Sequence, residues 1–170
     1  MSEKVIYFAH GKESGPWGVK IKRLAEVAKE LGFVVESPDY TSTMDPDERV
    51  QMLLAINPQA DNLVLVGSSM GGYVSTVATS VLKAKGVFLM APAFYVPFYQ
   101  VKEPMPMTKN VTIVHGTHDD IVPAEHSKRY MEKYDQVQCH FLDSDHRLLN
   151  VLDEVDDIFR KFLISLQEDR

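Results

Sequence analysis

Apolar residues along the chain fall into two kinds of run that alternate from end to end. Short bursts of strand length occur at Val5 to Ala9, Phe33 to Ser37, Leu63 to Gly67, Gly86 to Met90, Val111 to His115 and Val137 to Leu142. Between most of them the apolar positions recur every three or four residues, the step of a helix. Ile21, Leu24, Ala25, Ala28 and Leu31 predict a helix over Val19 to Leu31, with Gly32 as its stop. Asp45-Pro46 opens a second that runs through Val50, Leu53, Leu54 and Ile56. Ser69 to Leu82, Ala124 to Lys133 and Asp153 to Leu166 predict three more. Strands alternating with helices imply an α/β architecture, here a three-layer αβα arrangement around a mainly parallel six-stranded sheet. The unbroken apolar strands imply helices on both sheet faces.

One strand-to-strand link departs from this order. Ala91 to Lys109 holds four prolines together with Phe94, Tyr95, Phe98 and Tyr99, and a loop of this length in a compact domain is usually functional. Two readings stay open, and one loop can serve both. It is a rigid aromatic cover over the sheet edge, or those four aromatics form the wall of an apolar substrate pocket.

Composition narrows the function classes. With 170 residues, 45% of them apolar, there is material for one domain over residues 1–170 and too little for two. The start has a five-residue apolar burst after a charged beginning, unlike a signal peptide. No apolar run approaches the ~20 residues needed to cross a bilayer. A single cysteine, Cys139, forbids an internal disulfide and fits a reducing compartment, so a cytoplasmic protein without a membrane partner is expected. Cys139 alternates with Val137 and Phe141 and reads as a small buried apolar residue. The net charge of −6, with scattered Lys and Arg, leaves no basic stripe for nucleic acid.

The strongest chemical signal is Gly67-Ser68-Ser69-Met70-Gly71-Gly72, between a strand and a helix. The G-x-S-x-G form is that of a nucleophile elbow with Ser69 at its centre. A strand that reverses sharply into a helix brings backbone together, so side chains at Gly67 and Gly71 would clash. The turn exposes the Ser69 hydroxyl and sets the Met70 N–H at a helix N-terminus, where it can face a developing oxyanion. A phosphate-cradling turn is the competing reading, but neither the Gly-Lys-Ser/Thr ending nor the G-x-G-x-x-G spacing is present.

A serine hydroxyl needs a neighbouring base, and the base needs a partner that fixes its tautomer. His146 follows the last strand, at the sheet edge where α/β sites assemble. The segment after the fifth strand supplies two adjacent acids, Asp119 and Asp120. Spacing favours Asp119; either can instead be a turn carboxylate. Asp145 is expected to stabilise the His146 loop. The first strand ends in His10-Gly11-Lys12, and the Lys12 N–H is the candidate second oxyanion donor, its side chain not being required. His10 reads as a loop organiser. His115 and Gly116 read as the end of a strand and a turn, with Gly116 permitting unusual backbone. His118, His126 and His140 read as surface residues, and none has the spacing of a zinc ligand.

The His10-Gly11 loop, the Ser69 elbow, the His115-Gly116-x-x-Asp119-x-x-Val122-Pro123 segment and the late Asp145-His146 together resemble the α/β-hydrolase superfamily, in its order Ser, Asp, His. The match spans nearly the whole chain and is nearest to short, capless bacterial esterases and thioesterase-like members. The resemblance implies Ser69, Asp119 and His146 as triad, and the N–H groups of Lys12 and Met70 as oxyanion hole. The sequence departs from the family in two ways, since a sheet without the family's first two strands and no lid domain are expected, and this argues against lipase action on long-chain, membrane-bound substrates. The expected activity is hydrolysis of a small carboxylic ester or thioester without a cofactor. Cleavage of an amide or C–C bond, peroxyacid chemistry, and a non-catalytic binding module on the same fold remain the alternatives.

Overall fold

The computed structural model describes residues 3–168. Strands β1 (Lys4–Ala9), β2 (Val34–Glu36), β3 (Asn62–Ser68), β4 (Gly86–Met90), β5 (Val111–Gly116) and β6 (Val137–Leu142) are connected mostly by helices. These are α1 (Val19–Glu30), α2 (Pro46–Ile56), α3 (Met70–Ala78), α4 (Ala124–Lys133) and, after a 3-10 turn at Leu149–Val151, α5 (Leu152–Glu168). The strands form one sheet in the order β2-β1-β3-β4-β5-β6. Every neighbouring pair is parallel, so the sheet expected to be mainly parallel is wholly so. Only the link from β4 to β5 lacks a helix among the described residues.

Successive strand residues point to opposite faces, and both faces are covered. Ile6, Phe8, Val64, Val66, Phe88, Met90 and Val114 pack with Ile21 and Leu24 of α1 and with Phe159 and Leu163 of α5. Leu63, Leu65, Val87, Leu89, Val111 and Ile113 pack with Leu53 of α2, Tyr73 and Val74 of α3, and Tyr130 of α4. This two-sided burial explains the absence of polar residues from β4 and, after Asn62 at its start, from β3 up to the functional turn. Each large side chain so buried contributes ~1.5–3 kcal/mol.

Most element ends lie within a residue or two of expectation, but two elements are markedly shorter than expected. Helix α3 stops at Ala78 rather than Leu82. Thr79 and Ser80 turn their hydroxyls back onto the carbonyls of Thr76 and Val77, and the backbone tightens to three-residue steps through Thr79, Ser80 and Val81. Strand β2 is three residues long rather than five and lies at the sheet edge, where Val34 is exposed.

The register brings the carboxyl ends to one edge: Ala9 lies beside Gly67, Ser68 beside Met90, and Gly116 beside Leu142. Chain order reverses between β1 and β3, which makes the space above them the switch point where α/β sheets bind ligands. No helix among the described residues is long and apolar enough to cross a membrane.

Candidate active site

Ser69 sits directly above β3 with φ 53° and ψ −115°, a conformation that costs a non-glycine residue of order 1–3 kcal/mol. The fold holds it there from both sides. The Ser69 N–H donates to the Met90 carbonyl at 2.9 Å, and the Ser69 carbonyl accepts from the N–H groups of Gly72 and Ala93, both at 2.9 Å. The flanking glycines are required by close approach. A Cβ on Gly67 would lie 2.1 Å from the Gly71 oxygen, and one on Gly71 would lie 1.8 Å from the Ala9 oxygen. The half-buried Ser69 hydroxyl reaches His146 Nε2 at 3.1 Å, whereas Ser68 is buried as the last residue of β3.

His146 Nδ1 lies 2.7 Å from Asp119 Oδ2. A carboxylate only accepts, so Nδ1 carries the proton and Nε2 is left to accept from the Ser69 hydroxyl. Asp119 has no exposed side-chain surface. Its other oxygen, Oδ1, accepts from the N–H groups of Ile121 and Val122 at 2.9 and 2.8 Å. Burial alone would raise this carboxyl, but the hydrogen bonds from His146, Val122 and Ile121 outweigh it and hold Asp119 below the ordinary carboxylate value. Asp120 is exposed.

Asp119 has a further partner that its sequence context does not advertise. His115, fully buried, brings Nε2 to 3.0 Å from Asp119 Oδ2 and 2.8 Å from the Val122 carbonyl. Both are acceptors, so Nε2 carries the hydrogen and Nδ1, 2.7 Å from Ser127 Oγ, accepts from that hydroxyl. Desolvation lowers the His115 pKa and keeps the ring neutral. His115 therefore does more than end β5. Gly116 has no unusual φ; it is glycine because a Cβ would meet the Ser144 and Asp145 oxygens at 2.4 Å. That contact joins the Asp119 loop to the His146 loop. The second loop is also organised by Asp145, whose carboxylate accepts from the N–H groups of Arg147 and Leu148.

The loop after β1 approaches from the other side. A Cβ on Gly11 would fall 3.8 Å from Ser69 Cβ. The His10 ring is buried, with Nδ1 2.8 Å from the Gly11 oxygen and Nε2 accepting the Tyr40 N–H at 2.9 Å, so it organises the loop. Arg49 of α2, likewise buried, donates to the Gly11 and Lys12 carbonyls at 3.1 and 3.0 Å. Neither the Lys12 nor the Met70 N–H donates to an acceptor among the described residues.

The strained serine, the histidine and the buried aspartate thus stand on three loops at one sheet edge, in the order Ser, Asp, His. A family model, the uncharacterised protein family UPF0227, matches residues 4–110. A solved protein from Xanthomonas campestris pv. campestris, assigned to the hydrolases of the alpha/beta superfamily, is 30% identical. The match covers 97% of this chain and 99% of that one, with a TM-score of 0.87. The chain belongs to the α/β-hydrolase superfamily, within UPF0227. Est1E from Butyrivibrio proteoclasticus shares the fold at 17% identity, with 98% and 89% of the two chains covered and a TM-score of 0.84. So does an α/β serine hydrolase without lid from Xanthomonas campestris, at 20% identity, 95% and 81% coverage and a TM-score of 0.72. A search of curated protein sequences finds no match.

Within this α/β-hydrolase the aromatic segment between β4 and β5 divides its residues differently from the expected pocket wall. Phe94 is fully buried against Tyr130, with ring centroids 4.4 Å apart, and belongs to the core rather than to a pocket surface. Phe98 is 93% exposed. Tyr99 stands edge-on to Tyr73 at 4.7 Å. Tyr95, with Arg129 over its ring at 4.1 Å, lines a depression of about 330 Å3 together with Pro97, Lys102 and Glu103. The segment is also pinned by polar contacts. Tyr73 donates to Asp47 at 2.6 Å and accepts from the Val101 N–H at 3.1 Å.

Of the remaining candidates, His118 is exposed and pairs with Asp143 at 2.8 Å. His126 departs from the surface role expected of it: it is half-buried, its Nδ1 3.1 Å from the Phe94 carbonyl. His140 is half-buried too. Cys139 is half-buried, and burial pushes its thiol up to about 12. No group of three or more His, Cys, Asp or Glu among the described residues could hold a metal ion.

Proposed function

We propose that this protein is a serine hydrolase that transfers the acyl group of a small carboxylic ester or thioester to water through an acyl-enzyme on Ser69. The observation that carries this reading is the unbroken relay from Ser69 Oγ to His146 Nε2 at 3.1 Å and from His146 Nδ1 to Asp119 at 2.7 Å. Asp119 fixes the tautomer in which Nε2 is basic, and His146 removes the hydroxyl proton as Oγ attacks the carbonyl carbon. The N–H groups of Met70 and Lys12 receive the oxyanion. His146 returns the proton to the departing alcohol or thiol, then takes one from water. The resulting hydroxide bonds to the acyl carbon, and as the bond from that carbon to Ser69 Oγ breaks, His146 gives its proton back to Oγ, releasing the carboxylic acid and the free enzyme. The hydrolase assignment of the 30% identical relative supports the same reading.

A fluorophosphonate probe should label the wild type at Ser69, and p-nitrophenyl acetate should give a burst of one product per active site. Ser69→Ala should abolish both and lower turnover by about 10^4- to 10^6-fold. A wild type that gives neither burst nor label, or a Ser69→Ala variant that still labels, contradicts the proposal.

A further inference from the structure

Arg49 is among the largest side chains with no exposed surface. No carboxylate lies within salt-bridge distance of it among the described residues, although burying a charge unpaired is costly. Its guanidinium is spent instead on backbone carbonyls. Nε donates to Thr43 at 2.8 Å, Nη1 to Gly11 at 3.1 Å and Nη2 to Lys12 at 3.0 Å. The Gly11 oxygen is the focus of these contacts, since the His10 Nδ1–H reaches it at 2.8 Å and the Ser14 hydroxyl at 3.3 Å.

The peptide that joins Gly11 to Lys12 is planar and trans, so its N–H points opposite to its carbonyl. Fixing the Gly11 oxygen therefore fixes the direction of the Lys12 N–H, which has no acceptor among the described residues. Gly11 adjoins Ser69, a Cβ there falling 3.8 Å from Ser69 Cβ. A peptide whose carbonyl is held by charged and neutral donors is polarised, and its N–H becomes a stronger donor. We propose that Arg49 is the positioning residue of the oxyanion hole, its buried guanidinium aiming and polarising the Gly11–Lys12 peptide from behind. The inference rests on the serine-hydrolase reading of Ser69.

Arg49→Met, Arg49→Ala and Arg49→Lys test it, with circular dichroism to establish that each is folded. Arg49→Met should lower kcat by about 100-fold, at the low end of what losing an oxyanion donor does, while KM changes by less than about threefold because ground-state contacts are kept. Affinity for a trifluoromethyl ketone, which places an alkoxide where the oxyanion develops, should fall by the same factor as kcat. Added guanidinium ion should restore part of the rate in Arg49→Ala, and methylammonium should not. Lysine keeps the charge but not the fork, so Arg49→Lys should fall between wild type and Arg49→Met.

A folded Arg49→Met that keeps kcat within about threefold of wild type, or whose loss lies in KM alone, overturns the inference. So does failure of all three variants to fold, with or without guanidinium, which would assign Arg49 to stability. A wild type that shows neither burst nor label removes the hydrolase reading itself; an active wild type with active Arg49 variants removes only the role of Arg49.

Discussion

The two oxygens of Asp119 are not equivalent, and this decides what an amide in its place would do. Oδ1 is claimed by the N–H groups of Ile121 and Val122, whereas Oδ2 faces ring nitrogens of His115 and His146. In Asp119→Asn the amide oxygen must stay with the two backbone donors, so the NH2 turns toward two ring N–H groups. His146 then gives up its Nδ1 proton for the other tautomer and loses its capacity to accept from Ser69. On the proposed mechanism turnover should fall by ~10^4-fold, the usual consequence of a histidine held in the wrong tautomer. Asp120→Asn, at an exposed position, should stay within about twofold of wild type, as surface substitutions do. Burst kinetics on the two variants check this, and equal losses would contradict the assignment of Asp119.

At the scale of elements, α2 does more than cover the sheet. Two of its residues, two positions apart, brace two different loops at the site. Asp47 ties down the aromatic segment through Tyr73 and the Gln100 N–H, and Arg49 holds the loop after β1. The helix is started by Asp45, whose side chain accepts from the N–H groups of Asp47 and Glu48 at 2.8 and 3.3 Å, with Pro46 as its first residue. Asp45→Ala should therefore cost ~1 kcal/mol of global stability by urea unfolding. It should also raise amide exchange at Gln100 and Val101, held by Asp47 and by the Tyr73 hydroxyl that Asp47 fixes, and at Ser14, whose N–H donates to the Gly11 oxygen that Arg49 also holds. Faster exchange confined to α2 itself would show that the helix start does not support these loops.

Across the whole molecule, the parts legible in the sequence were those with a local signature. The strands β1, β3, β4 and β5 announce themselves by unbroken apolar runs, and the elbow by glycines that only a sharp reversal requires. The order of Ser69, Asp119 and His146 along the chain placed each on a separate loop at one sheet edge. What was not legible depends on contacts between distant segments. Arg49 reads as one cation in an amphipathic helix, and the two carbonyls it holds in the loop after β1 lie 37 and 38 residues away. His115 reads as the polar end of a strand until Asp119 folds back on it. Phe94 and Phe98 look alike in a loop without periodicity, yet one is core and the other solvent-facing, because nothing in such a segment repeats to tell inside from outside.

The same buried histidines set how the folded state responds to acid. Burial lowers the pKa of both His10 and His115 below the ordinary 6.5, the carbonyl contacts of each pulling weakly the other way. Protonation is unwelcome for a geometric reason at His10, whose Nε2 already accepts the Tyr40 N–H and would present a second donor to it. As pH falls below 6.5 the unfolded chain takes up protons at these positions before the folded chain does, so stability is lost on acidification and is fully present above that value. Asp119 acts later with the same sign. Its folded pKa lies below 3.8, so its contribution holds above 3.8 and disappears as pH falls through the lower folded value. The thermal midpoint should therefore be lower at pH 5 than at pH 7.5. His115→Gln, whose amide can still pair with Ser127 but cannot titrate, should show a shallower slope over that interval even if its midpoint at pH 7.5 is reduced. A wild-type midpoint that holds steady to pH 5, or an unchanged slope in His115→Gln, would show that these rings do not govern the acid limit.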